Sequence, residues 1–340
     1  MRFFLLLFIL CSLFSCRTYY DNSEISLIED YKTQVKYANT ITKSELKKDV
    51  YILSADSMQG RATGENGQKK AAEFLRESYK SLNISSPKGV PNYFQTIPES
   101  FFNGRANSSE NVLAYIEGSE YPEEVLVLSA HYDHLGVEDD GTIYYGADDD
   151  ASGTMGLVQI AEAFIIAKKE GKGPKRSILF LHVTGEEIGL YGSRYYTDNP
   201  IFPLKNTIAN LNVDMIGRID DKHEEKQDPN YIYLIGSDRL SKELHIISEL
   251  VNEKYSNFNF DYTFNEESDP NRFYYRSDHY NFAKHNIPII FYFNGVHDDY
   301  HEATDTPDKV EYDLLVNRCK LIFHTAWELV NRNERIQLTK

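Results

Sequence analysis

From residue 111 to residue 331, short apolar runs rich in β-branched residues alternate with longer segments whose apolar residues recur at helical spacing. This alternation restricts the fold more than any other feature of the chain. The strand candidates are 111–116, 125–130, 177–183, 207–213, 231–235 and 287–293. Between and after them the spacing predicts helices over 153–169, 190–196, 241–254, 278–284 and 312–331, and an amphipathic helix over 68–82 precedes them. Parallel neighbours need crossovers and helices make good ones, so the expectation is a three-layer α/β/α sandwich around a central mixed, mostly parallel sheet.

A chain of 340 residues suits one large domain, and 41% hydrophobic with 26% charged residues is ordinary globular usage. The net charge of -16, with no basic stripe, argues against partnership with nucleic acid. At the start a single positive residue, Arg2, precedes an apolar run too short to span a bilayer, the pattern of an export signal. Its end, Leu13-Phe14-Ser15-Cys16, resembles the bacterial lipoprotein cleavage box. The expected organisation is a signal peptide over 1–15, a polar tether over 16–43 and a single domain over 44–340. Lipid on Cys16 is expected to hold an exported protein to the cell envelope, in the periplasm or at the outer membrane. Cys319 is then left without a disulfide partner.

Residues that bind metal or move protons gather where these strands end. His131-Tyr132-Asp133 follows the strand over 125–130, Glu186-Glu187 follows the one over 177–183, and Asp214 follows the one over 207–213. Ligands of open α/β sheets bind at the carboxyl ends of strands, so three such ends face one crevice. A fourth group, Asp148-Asp149-Asp150, lies just before a helix whose dipole cannot offset three adjacent carboxylates. A pair of divalent cations can, and imidazole with carboxylate suits zinc.

The same residues belong to longer motifs: His131-Tyr132-Asp133-His134, Gly146-Ala147-Asp148-Asp149-Asp150-Ala151-Ser152-Gly153, Gly185-Glu186-Glu187, Asp214-Met215-Ile216-Gly217, Ser277-Asp278-His279, and His301 with Asp305-Thr306. In this order they resemble the motif set of the di-zinc metallo-aminopeptidases, which include bacterial leucyl aminopeptidase and aminopeptidase Y; relatives are the glutamate carboxypeptidases, glutaminyl cyclase and the transferrin receptor. The resemblance runs from about residue 44 to the C-terminus and implies a zinc-exopeptidase fold with two Zn2+ ions. It implies that His131 and Asp214 complete one zinc site and Glu187 and His301 the other, with Asp149 bridging both and followed by a cis peptide. Asp133 is implied to orient His131, Glu186 to be general base and acid, and Tyr274, three residues before Ser277, to donate to the oxyanion. The implied reaction is hydrolysis of N-terminal residues from peptide substrates by a metal-activated water. The chain is expected to act as a monomer, without a large lid insertion, its site bordered by loops 218–230 and 264–276.

Three other readings stand beside this one. A carboxypeptidase needs a cation for the terminal carboxylate, and Arg218, Arg272 and Arg276 lie in suitable loops. Glutaminyl cyclases carry out acyl transfer with one zinc, and receptor-type relatives lose ligands; the complete ligand set weighs against both. His182, inside a strand, is expected to be a core histidine, and Asp278 and His279 to be structural support. His134, His285 and His297 are expected to be supporting or merely polar. The runs Phe273-Tyr274-Tyr275 and Phe291-Tyr292-Phe293 are expected to form core and pocket lining.

Overall fold

A computed structural model describes residues 25–339, so the expected signal peptide and Cys16 lie outside the described residues. The chain begins with helices α1 (Tyr31–Ala38), α2 (Lys43–Leu53) and α3 (Asn66–Leu82). Strands β1 (Phe94–Ile97), β2 (Ser109–Ile116) and β3 (Tyr121–His131) follow, then a small hairpin of β4 (Gly136–Val137) and β5 (Ile143–Tyr144). Next come α4 (Gly153–Lys169), β6 (Arg176–Val183), α5 (Tyr191–Asp198), β7 (Thr207–Val213), α6 (Asp221–Glu225) and β8 (Tyr231–Ile235). The last elements are α7 (Lys242–Tyr255), β9 (Asn259–Asp261), α8 (His279–Ala283), β10 (Ile289–Phe293) and α9 (Tyr312–Asn331).

The main sheet has the order β1-β2-β6-β3-β7-β10-β8-β9. Its centre, β6-β3-β7-β10, is parallel, whereas β1, β2 and β8 pair antiparallel to their inner neighbours and β9 runs parallel to β8. The mixed, mostly parallel sheet read from the alternation is present. The carboxyl ends of β3, β6 and β7 therefore share one edge of the molecule.

Successive side chains of a strand point to opposite faces. On β3, Leu126, Leu128 and Ala130 join the larger core, with Leu75 of α3, Phe164 of α4 and Phe323 of α9. Val125 and Val127 join the smaller one, with Tyr196 of α5 and Phe282 of α8. Helix α4 is apolar around most of its circumference and mostly buried, and each of its buried Leu, Val, Ile, Met and Phe side chains contributes about 1.5–3 kcal/mol.

The expected tether is corrected over its described part. Tyr37, Ala38 and Ile41 are buried, and the Tyr37 ring stacks on Trp327 at 5.8 Å between centroids. The segment reads as polar because polar groups do the anchoring. The buried Glu328 carboxylate of α9 accepts from the Gln34 side chain at 2.8 Å and from the Ile28 amide at 3.0 Å. Burying such a carboxylate is unfavourable without donors, so α1 and α9 stabilise each other.

Replacing Glu328 with Ala leaves the Ile28 and Gln34 donors without that acceptor and is expected to cost about 2–3 kcal/mol. Urea unfolding midpoints measure this; an unchanged midpoint means the contact contributes nothing.

Candidate metal centre

His131 is the last residue of β3, Glu186 and Glu187 lie just beyond β6, and Asp214 follows β7 directly. The His131 Nε2 atom stands 3.1 Å from Asp149 Oδ1 and 3.4 Å from Asp214 Oδ1. On the other side of the same Asp149 carboxylate, His301 Nε2 lies 3.3 Å from Oδ2 and 3.1 Å from Glu187 Oε2. The five residues expected as ligands are thus brought together, with Asp149 in the middle.

The three consecutive aspartates have different partners. Asp148 Oδ1 accepts from the Gly217 amide at 2.6 Å, and its Oδ2 meets His297 Nε2 at 3.1 Å. Asp150 Oδ1 accepts from the amides of Gly153, at the start of α4, and Met215. The close contacts of the Asp149 carboxylate are instead with the imidazoles of His131 and His301. A cis peptide joins Asp149 to Asp150, as the motif implied. Gly146 opens this loop at φ +55°, and a Cβ there would sit 2.2 Å from the Asp149 carbonyl oxygen, so no larger residue fits.

Supporting contacts hold the site from behind. His131 Nδ1 lies 3.1 Å from the Asp133 backbone carbonyl and 3.8 Å from its carboxylate, so Asp133 orients the ring through its main chain. The Asp133 carboxylate itself accepts from Thr63 at 2.7 Å and from the Glu186 amide at 3.3 Å. Asp214 Oδ2 accepts from Ser277 Oγ at 2.6 Å, and Asn212 in turn donates to Ser277. His134 Nδ1 meets Glu187 Oε1 at 2.7 Å. Buried Arg318 of α9 donates to the carbonyls of Ile216 and Arg218, just beyond Asp214.

Arg61 lies in the turn between α2 and α3. It is fully buried, and its guanidinium donates to four carbonyls: Leu53 at 2.9 Å, Tyr132 at 2.8 Å, Tyr145 at 2.7 Å and Gly146 at 2.8 Å. Tyr132 adjoins His131 and Gly146 begins the Asp149 loop, so one side chain ties together the two stretches that carry these residues. Of the other histidines, His182 is a core residue beside Tyr79, pushed down to about 3 by burial. His279 stacks on Phe291 and bonds the Tyr274 carbonyl. His285 is exposed.

The residues suit a metal. His301 Nε2 points at two carboxylates yet makes no hydrogen bond, as a nitrogen does when it and its neighbours face a shared ion. Ligand atoms of His131, Asp149 and Glu187 all lie within 4.8 Å of one another, as do those of His131, Asp150 and Asp214. Within the second group Asp150 is already engaged by two amides, so Asp149 is the better donor. Burial drives the Glu186 carboxyl well above its usual range, and Glu187 and Asp214 add to the effect. Burial opposes charge on His131, but Asp214 and Asp149 outweigh it and hold the imidazole well above its ordinary value.

His131, Asp149, Glu186, Asp214 and His301 line a cavity of about 30 Å³ whose remaining wall is Met215, Phe273, Phe291, Phe293, Tyr300 and Arg276. Tyr274 is not part of it. Its ring packs on the Arg239 guanidinium, 3.9 Å from Cζ to centroid, facing a separate hollow. The expected donor is thus misplaced; the tyrosine at the site is Tyr300, which stacks on His301 at 3.8 Å. Its place directly before a ligand candidate was the available sequence signal.

Comparison with known proteins gives the family and the fold. The model of Peptidase family M28 matches residues 111–326. A "Probable zinc metalloprotease" of Pyrenophora tritici-repentis is 42% identical over 116 residues, covering 32% of this chain and only 22% of that protein. A "Probable leucine aminopeptidase" of Arthroderma otae is 23% identical over 309 residues, covering 87% of this chain and 79% of the relative. Among solved structures, the Legionella pneumophila LapA aminopeptidase superposes with a TM-score of 0.71 at 20% identity, over 97% of this chain and 81% of that one. This last likeness concerns the fold.

Arg61→Met is expected to lower stability by at least about 4 kcal/mol, because it orphans four carbonyls and removes a buried cation. Chemical denaturation with chelator present separates this from metal loss. A cost below about 1 kcal/mol would show that the carbonyls find other donors.

Proposed function

The chain belongs to Peptidase family M28, and from that premise we propose that it is a zinc-dependent exopeptidase that removes N-terminal residues from peptides. One observation carries the reading: the two oxygens of Asp149 face different partner sets, His131 on one side and His301 on the other. In the proposed assignment His131 and Asp214 hold one Zn2+, Glu187 and His301 hold the second, and Asp149 bridges. Asp149, Glu186, Glu187 and Asp214 supply four negative charges when ionised, which two divalent cations balance. Bound zinc would supply an acidified water and polarisation of the substrate carbonyl.

The protein's own groups account for the rest. Glu186 lines the cavity, and its amide is bonded to Asp133. In this reading it takes the proton of the attacking water and returns it to the departing amine. Tyr300 replaces Tyr274 as the proposed donor to the oxygen that gains charge, because it lines the cavity and Tyr274 does not. The carboxylates attract a free ammonium group, a charge basis for action at an N-terminus. Removal of C-terminal residues is a second reading, favoured by Arg276 in the cavity wall. A monomer in the cell envelope, held by lipid on Cys16, completes the proposal; mass spectrometry of the mature N-terminus tests the anchor.

Peptides blocked at one end or the other decide between the readings: release from amidated but not acetylated peptides is expected, and the reverse pattern refutes aminopeptidase action. Glu186→Gln is expected to keep two zinc ions by elemental analysis while losing about 10²–10⁴-fold in kcat. A near-normal rate would mean that the base lies elsewhere.

A further inference from the structure

Other positive groups near the site are committed or turned elsewhere. Arg61 is enclosed by carbonyls, Arg218 pairs with Asp299 at 2.9 Å, Arg239 packs on Tyr274 and donates to Asn265, and Arg272 lines a separate hollow. Arg276 differs. It lines the cavity, is exposed, and rests on the Phe273 ring with Cζ 4.8 Å from the centroid. No carboxylate among the described residues forms an ion pair with it. The carboxylates that line the same space are grouped at the candidate ligands, and Met215, Phe291 and Phe293 form an apolar stretch.

A wall of this kind sorts substrates by charge. Arg276 is the cation of this wall that no carboxylate among the described residues pairs with, so a substrate anion is drawn to it. A planar guanidinium resting on an aromatic ring keeps its donor edge free and suits two-point binding of a carboxylate. The cavity is also small, so an anion that reaches Arg276 belongs to a residue at or next to the cleaved bond.

We propose that Arg276 is a specificity residue that binds a carboxylate of the substrate beside the scissile bond, an inference that rests on the exopeptidase reading. Preferred substrates are short peptides that carry a positive amine and a carboxylate close together. The carboxylate comes either from the free C-terminus of a dipeptide or from an acidic N-terminal side chain.

The test measures kcat/KM of the full, zinc-loaded chain on Leu-Ala, Leu-Ala amide, Leu-p-nitroanilide and Glu-p-nitroanilide. A dipeptide terminus as the source predicts that Leu-Ala exceeds its amide by about tenfold or more; an acidic side chain predicts the same margin for the Glu over the Leu anilide. In Arg276→Gln the favoured ratio is expected to fall close to one, through KM, and Arg276→Lys is expected to keep part of it. A ratio is unaffected by a general loss of active protein. Wild-type ratios both near one, or a ratio unchanged in the Gln variant, overturn the proposal. A wild type that cleaves none of the four compounds overturns the exopeptidase reading beneath it.

Discussion

Carbonyl groups from three separated stretches of chain converge on the guanidinium of Arg61, and the geometry of the candidate site depends on that convergence. The end of α2 supplies Leu53, the turn after β3 supplies Tyr132, and the entry to the aspartate loop supplies Tyr145 and Gly146. A guanidinium is suited to this because its donors form a rigid fork and it stays charged when buried. No carboxylate neutralises it directly, so its field acts on Asp149, Asp305, Asp133 and Asp150 together. The backbone is shaped to deliver it: Gly60 has φ +59°, and a Cβ there would sit 2.2 Å from the Gly136 carbonyl oxygen.

Around this cation the acidic groups are told apart by their partners. Asp305 accepts from the amides of Asp148 and Asp149, Asp148 and Asp150 accept from other amides, and Asp214 takes a hydroxyl from Ser277. Each of these bonds fixes a carboxylate in place and lowers the cost of its burial. Asp149 is held by its backbone amide, through Asp305, and leaves both side-chain oxygens to face imidazoles. A loop of adjacent acids, hard to rationalise as a sequence, becomes a loop in which the outer two are structural and the central one faces the cavity.

How much could be read from the sequence follows from which physical signals are local. The long elements were legible because apolar periodicity is local: β7, β8 and α9 occupy the residues the pattern assigned them. Short edge strands were not, since β1 and β9 have four and three residues and no sustained alternation. His131, the Glu186-Glu187 pair and Asp214 were legible because strand ends imply convergence, whereas the choice of Asp149 and of His301 rested on the family resemblance. Tyr274 was misplaced because spacing along the chain says nothing about which way a ring turns, and its turn is decided by Arg239. Arg61 and Ser277 escaped because their roles come from carbonyls and carboxylates distant in sequence. The docking of α1 escaped because polar anchors, Gln34 among them, look like solvated surface until their partner on α9 is known.

The contact between α1 and α9 has a mechanical side. Ile28 and Gln34 both end on Glu328, so a pull on the start of the described chain is borne first by α9, a helix of 20 residues, and not by peeling a strand from the sheet. The same helix carries Arg318, whose guanidinium holds the carbonyls of Ile216 and Arg218 beside Asp214. A single stiff rod thus serves as the strain-bearing mount for the beginning of the domain and as the back support of a candidate metal loop.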